Sequence, residues 1–197
     1  MMTIRQIERF WTSRSYARLS ADLLAGRQEV SFGLDGLDSP GAVAALAIIR
    51  MDELSQSSHP LYGVLVRSLL ESQDRDGGWN DPAVTALCLR ALFLGRGQGH
   101  AIEAGLAYLA SLQKDQGIWP SVPLRRMPED PATSLFILYQ LGDNARFQSA
   151  VRFADALAWF ARNRETLSRE CLTLYERTTL RCRMFAPRSS KAQLFAA

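Results

Sequence analysis

The chain has 197 residues, of which 47% are hydrophobic and 22% charged, with a net charge of +3. Those proportions belong to a folded globular chain and exclude one that stays disordered over most of its length. No apolar run reaches the roughly 18–20 residues that cross a bilayer, so no membrane span is expected.

In chain order, the hydrophobic spacing predicts eight helices, at about 3–25, 40–54, 60–73, 81–95, 99–114, 131–142, 145–164 and 167–184. The first begins Met1-Met2-Thr3-Ile4-Arg5, charged and amphipathic without a signal-like apolar block, which predicts a cytoplasmic protein. Ser39-Pro40, Asp81-Pro82 and Asp130-Pro131 are helix starts. A side-chain oxygen can cap free amides there, and proline suits the first helical position. Val84, Leu87, Cys88, Ala91 and Leu92 recur at i, i+3, i+4, i+7 and i+8, and residues from Phe147 to Ala161 recur likewise. Gly95, Gly97 and Gly142 are stop signals. Residues 119–130 hold Pro120, Pro123 and Pro128 and read as a long loop. No segment alternates with period two. The expectation is an all-α chain with one domain over 1–186 and a flexible tail over 187–197.

The chain repeats itself. Gln73, Gly77 and Trp79 recur forty residues on as Gln113, Gly117 and Trp119, sharing the pattern Q-x-x-x-G-x-W. Pro82 to Leu92 then matches Pro131 to Leu141. A weaker copy, Ala42 to Ile49, resembles Ala83 to Arg90, with Pro40 one residue out of register. The clearest repeats cover 40–142. Each glutamine stands near a helix end, where it can bond orphan carbonyls or the next repeat's backbone. Each glycine permits a tight reversal with positive φ. Each tryptophan can cover helix ends and pack on the neighbouring hairpin, or line a ligand cavity.

These motifs resemble the QW repeats of squalene–hopene and oxidosqualene cyclases, and related repeats of protein prenyltransferase β subunits. The resemblance implies α-hairpin repeats arranged as an α/α toroid around an isoprenoid chain. With about eight helices, it implies a partial or shortened toroid whose open ends a homodimer or partner protein could cover. It also implies Trp79, Trp119 and Tyr139 as ligand-binding residues. The catalytic signatures differ. Class II cyclases protonate their substrate with the central acid of D-x-D-D, whereas Asp81-Pro82-Ala83-Val84 keeps only the first acid and Asp130-Pro131-Ala132-Thr133 does likewise. Asp35, Asp38, Asp81 and Asp130 remain the candidate acids, because each lies beside an inner-helix start. For Asp81 and Asp130 the competing role is helix capping.

Cys88, Cys171 and Cys182 are an odd number at spacings that make neither a disulfide framework nor a zinc motif. His59 and His100 stand apart, so no metal and no cofactor is expected. Arginines gather in the first and last segments but alternate with glutamates and lack interleaved aromatics, which argues against nucleic acid. Two functions stay open. One is a non-catalytic repeat protein that binds an apolar, isoprenoid-like ligand or a partner protein on its concave face. The other is a small cyclase or isomerase that uses an aspartic acid at an inner-helix start.

Overall fold

The computed structural model describes residues 39–185 apart from Arg96. The expected helix 3–25, the tail 187–197 and the candidate acids Asp35 and Asp38 lie outside the described residues. Among the described residues there are eight α-helices and no strand, and the chain is all-α. They are α1 (Pro40–Glu53), α2 (Pro60–Glu71), α3 (Pro82–Leu94), α4 (Gly99–Leu112), α5 (Pro131–Leu141), α6 (Ala145–Ala150), α7 (Phe153–Arg162) and α8 (Arg169–Phe185), with a short 3-10 turn at Arg164–Thr166.

The helices form two rows. In the inner row α1 packs on α3, α3 on α5 and α5 on α8. In the outer row α2 lies against α1, and α4 lies against α3 and α6. The inner helices start alike. Ser39 Oγ accepts the Ala42 N–H at 3.3 Å, Asp81 Oδ1 the Val84 N–H at 2.8 Å, and Asp130 Oδ1 the Thr133 N–H at 2.8 Å. Matching the caps puts Pro40 in register with Pro82 and Pro131. Ala42 then corresponds to Val84 and Thr133, one residue away from the alignment that sequence similarity alone selects.

Burial follows from this layering. Every residue from Pro82 to Leu89 is buried, as is every one from Thr133 to Leu138. A helix apolar on all sides needs neighbours on all sides, and these two have them. By contrast α8 buries Cys171, Leu174, Thr178 and Cys182 and turns Glu170, Thr173, Glu176 and Arg177 outward. The same outward face also carries Leu180, which is 62% exposed.

The predicted helix 145–164 is broken in two. Val151 is extended, with φ −123° and ψ 166°, and the chain restarts at Phe153. The free groups at the break are met by Gln113. Its Oε1 accepts the Arg152 N–H at 2.8 Å, and its Nε2 donates to the Arg152 carbonyl at 3.2 Å. A side chain that supplies both a donor and an acceptor removes the penalty of interrupting the helix. The break lets α6 bring Phe147 against Trp119, ring centres 6.2 Å apart, and Phe153 meets Phe147 edge-on at 6.3 Å.

Trp119 is fully enclosed in this cluster. Its truncation to alanine is expected to cost about 3–5 kcal/mol of unfolding free energy. Urea denaturation of Trp119→Ala against the parent measures this, and a loss under about 1 kcal/mol would show that the ring is dispensable to the core.

Candidate functional site

The repeated turn is built twice with the same bonds. In the first copy Gln73 Nε2 donates to the Gly77 carbonyl at 2.8 Å and to the Ala101 carbonyl of α4 at 2.9 Å. In the second, Gln113 Nε2 donates to the Gly117 carbonyl at 2.6 Å as well as to Arg152. Asp74 N–H bonds the Gly78 carbonyl, and Lys114 N–H bonds the Ile118 carbonyl, both at 2.9 Å. Trp79 Nε1 donates to the Leu69 carbonyl and Trp119 Nε1 to the Leu109 carbonyl, at 2.9 and 2.8 Å. The tryptophan backbone N–H groups reach the Thr85 and Ser134 hydroxyls at 2.9 and 2.8 Å. Each unit therefore joins an outer helix, its own turn, the next inner helix and the next outer helix.

Glycine is required at both turns. Gly77 and Gly117 have φ of +91° and +92°, and a Cβ there would come within 2.5 Å of the Ala104 carbonyl oxygen and 2.6 Å of the Ala156 nitrogen. These contacts are with the backbone of the following outer helix, which cannot yield as a flexible side chain would. The same closeness appears under the rings, where a Cβ on Gly105 would lie 3.0 Å from Trp79.

The candidate ligand residues divide in space. Trp79 and Trp119 are 2% and 0% exposed, with the indole N–H bonded in each. Tyr139, on inner helix α5, is half-buried, and the Arg181 guanidinium of α8 sits 5.4 Å from its ring centre. Arg181 is held there by two hydrogen bonds to Asp143 Oδ2, at 3.0 and 2.8 Å. One residue on, Gln140 is buried and accepts from the Arg90 guanidinium of α3 at 3.0 Å, while its Nε2 has no hydrogen-bond partner. Arg90, Gln140, Asp143 and Arg181 escaped the sequence reading. Arg90 and Gln140 are the polar interruptions in otherwise apolar helices, which was the available signal.

The candidate acids within the described residues serve as helix caps. Asp81 and Asp130 each accept a backbone N–H three residues on. Asp74 Oδ2 accepts the Asn80 N–H at 2.8 Å, and Asp76 Oδ1 the Gly78 N–H at 3.0 Å. Tyr108 lies over the first turn with its hydroxyl buried and unpartnered. Burial, and then the charges of Asp76, Asp81 and Asp74, push its ionisation far above the ordinary phenol range. Burial and Asp81 likewise push the Cys88 thiol up. Both groups are therefore held in the neutral form.

The three cysteines are buried and free. His59 caps α2, its Nδ1 accepting the Leu61 N–H at 3.1 Å. Among the described residues no group of three or more His, Cys, Asp or Glu side chains is placed to hold a metal ion, and no helix is long and apolar enough to cross a membrane. Comparison of the chain with models of known families, with curated proteins and with solved structures finds no match in any of the three.

Two predictions follow from the turn and its surroundings. Gln113→Ala removes the carboxamide bonds between the turn and the start of α7, leaving those of the Arg152 guanidinium, and unpairs buried backbone groups, so it is expected to cost about 2–4 kcal/mol. Gly117→Ala, forced into a positive φ against backbone, is expected to cost at least about 2 kcal/mol. Chemical denaturation checks both, and a change in either below about 0.5 kcal/mol would remove the turn from the list of structural anchors.

A third prediction concerns pH and Cys182 on α8. Burial, helped by Asp143 and opposed by Arg181 and a backbone hydrogen bond, raises the Cys182 thiol from 9.0 to about 11. The folded protein thus holds this proton more tightly than the unfolded chain. Its contribution is complete below pH 9 and is lost as pH rises toward 11. Urea midpoints measured across that window should fall, and should fall less steeply in Cys182→Ala. Equal slopes would show that the thiol does not take part.

Proposed function

We propose that this chain is a non-catalytic repeat protein of the terpene-cyclase and prenyltransferase type, which binds an apolar, isoprenoid-like molecule along its inner helices. The observation that supports this reading is the twofold recurrence of one hydrogen-bonded unit around Q-x-x-x-G-x-W, with the polar atoms of the motif satisfied inside the scaffold. Motif residues so engaged are scaffold parts. The inner-row helices α1, α3, α5 and α8 then correspond to the inner ring of a partial α/α toroid.

The ligand role falls to Tyr139. It is the member of the candidate set that keeps exposed aromatic surface, and it stands on an inner helix beside a cation. An aromatic face with apolar neighbours suits a hydrocarbon chain, while Arg181 and Arg90 offer donors to a polar end group. A partner protein that uses the same face is the other occupant compatible with this reading.

Catalysis by Asp81 or Asp130 is the weaker reading. A proton donor must be held protonated and aimed at the substrate. Each of these carboxylates is instead engaged as a helix cap, accepting a backbone N–H at 2.8 Å.

Titration with farnesol, geranylgeraniol and squalene, followed by tyrosine and tryptophan fluorescence, tests the proposal. Saturable binding is expected, weakened about tenfold by Tyr139→Ala, a loss of about 1.4 kcal/mol. Chromatography of the extracted lipid should return it unchanged, and should do so equally with Asp81→Asn. A failure to saturate with any of the three sinks the ligand reading. A cyclised product lost in Asp81→Asn or Asp130→Asn would establish the enzyme instead.

A further inference from the structure

The two repeat units close alike and differ by one insertion. In the first, the Asp81 N–H donates to the Trp79 carbonyl at 2.7 Å, and Asn80 alone stands between them. In the second, the Asp130 N–H donates to the Trp119 carbonyl at 2.8 Å, and ten residues, 120–129, stand between them. Tryptophan, cap and inner helix therefore meet in the same way with or without the longer connection. The insertion is a loop closed at its base by a bond that the scaffold already makes.

The loop rests on the molecule without being built into it. Every residue from Val122 to Pro128 is exposed. Between residues 121 and 129 the main chain makes two hydrogen bonds, from the Leu124 N–H to the Val122 carbonyl at 2.7 Å and from the Met127 N–H to the Leu124 carbonyl at 2.9 Å. Both are local turns. One side chain ties the loop down, Arg125 pairing with Asp115 at 3.0 Å. The two side chains are 59% and 90% exposed, and an ion pair in water holds little. Residues 121–129 reach about 30 Å when drawn out. The loop can thus open outward as an extended strand while its base stays closed.

Arg125 and Arg126 stand side by side in this loop. Other cations are held where the main chain is already bonded. Arg75 and Lys114 lie in the two Q-x-x-x-G-x-W turns, which the Asp74–Gly78 and Lys114–Ile118 hydrogen bonds close. Arg152 has its N–H on Gln113, and Arg146, Arg162 and Arg177 lie within helices. An endopeptidase needs its substrate's main chain free to extend, and exposed loops meet that need where turns and helices do not.

The scaffold also stays joined across a break in this loop. The inner helices α3 and α5 pack on each other from opposite sides of it in sequence. Ser134 Oγ accepts the Trp119 N–H, Gln113 bonds both backbone groups of Arg152, and Trp119 stacks on Phe147. None of these contacts uses residues 120–129.

We propose that Arg125-Arg126 is a processing site for an arginine-specific endopeptidase, which converts the chain into two fragments that remain folded together. Water adds across the peptide bond that follows Arg125 or Arg126. The arginine gains a carboxylate, and Arg126 or Met127 becomes a new amino terminus.

Limited digestion of the full native chain with trypsin, read by mass spectrometry of the new termini, tests this. Of all cuts within residues 39–185, those after Arg125 and Arg126 should come first, at least about tenfold faster than any other. Gel filtration should return the two fragments in one peak. In the double variant Arg125→Gln/Arg126→Gln these cuts should vanish while the urea midpoint stays at the parent value. A first cut elsewhere within 39–185 overturns the proposal. So do fragments that separate without denaturant, or a midpoint lowered by the double variant, because the loop would then be part of the scaffold.

Discussion

Two glutamine carboxamides hold the repeats together. A helix that ends must satisfy its last carbonyls, and a helix that begins must orient its first turn. The tryptophan indoles meet the first need at Leu69 and Leu109, and Gln73 and Gln113 meet the second, since each folds back onto the glycine carbonyl of its own turn and reaches forward to the backbone of the next outer helix. The amide group can do this because it donates two hydrogens and accepts at oxygen. Gln113 uses both sides, and a helix break at Arg152 is the structural result.

Around that bond the other motif residues become necessary in turn. The glutamine can reach the next helix only if the turn comes close to it, and closeness excludes any side chain at Gly77 and Gly117. The turn then delivers a tryptophan into the gap between hairpins. There its N–H closes onto a carbonyl of the preceding outer helix, and its backbone onto a hydroxyl of the following inner helix. A large ring with one donor fills the space without leaving a polar atom unpaired. Thr85 and Ser134, buried polar residues in apolar helices, have their reason here.

The same economy separates scaffold from chemistry. Asp81 and Asp130, the candidate acids within the described residues, lie at helix starts and accept free amides there. Tyr108 and Cys88 are held neutral by burial beside those acids. The polar groups not absorbed into the turns lie along the inner row, where Arg90 meets Gln140 and Arg181 meets Tyr139 and Asp143. They come from α3, α5, α8 and the turn after α5, far apart in sequence, which is why no spacing in the chain announces them.

Within the described residues the sequence by itself determined most of the helices, their caps and the repeat. These depend on contacts a few residues apart, such as Asp81 with Val84 or Gln73 with Gly77, and local contacts leave periodic traces. It did not determine where 145–164 would break, because the group that stabilises the break is Gln113, thirty-nine residues earlier. It offered two registers for Pro40, and the shared cap geometry chose between them. It left Trp79 and Trp119 able to serve a core or a cavity, and only the packing of Gly105 and Phe147 against them enclosed the rings. Burial is a property of neighbours, and the neighbours are assembled by the tertiary fold.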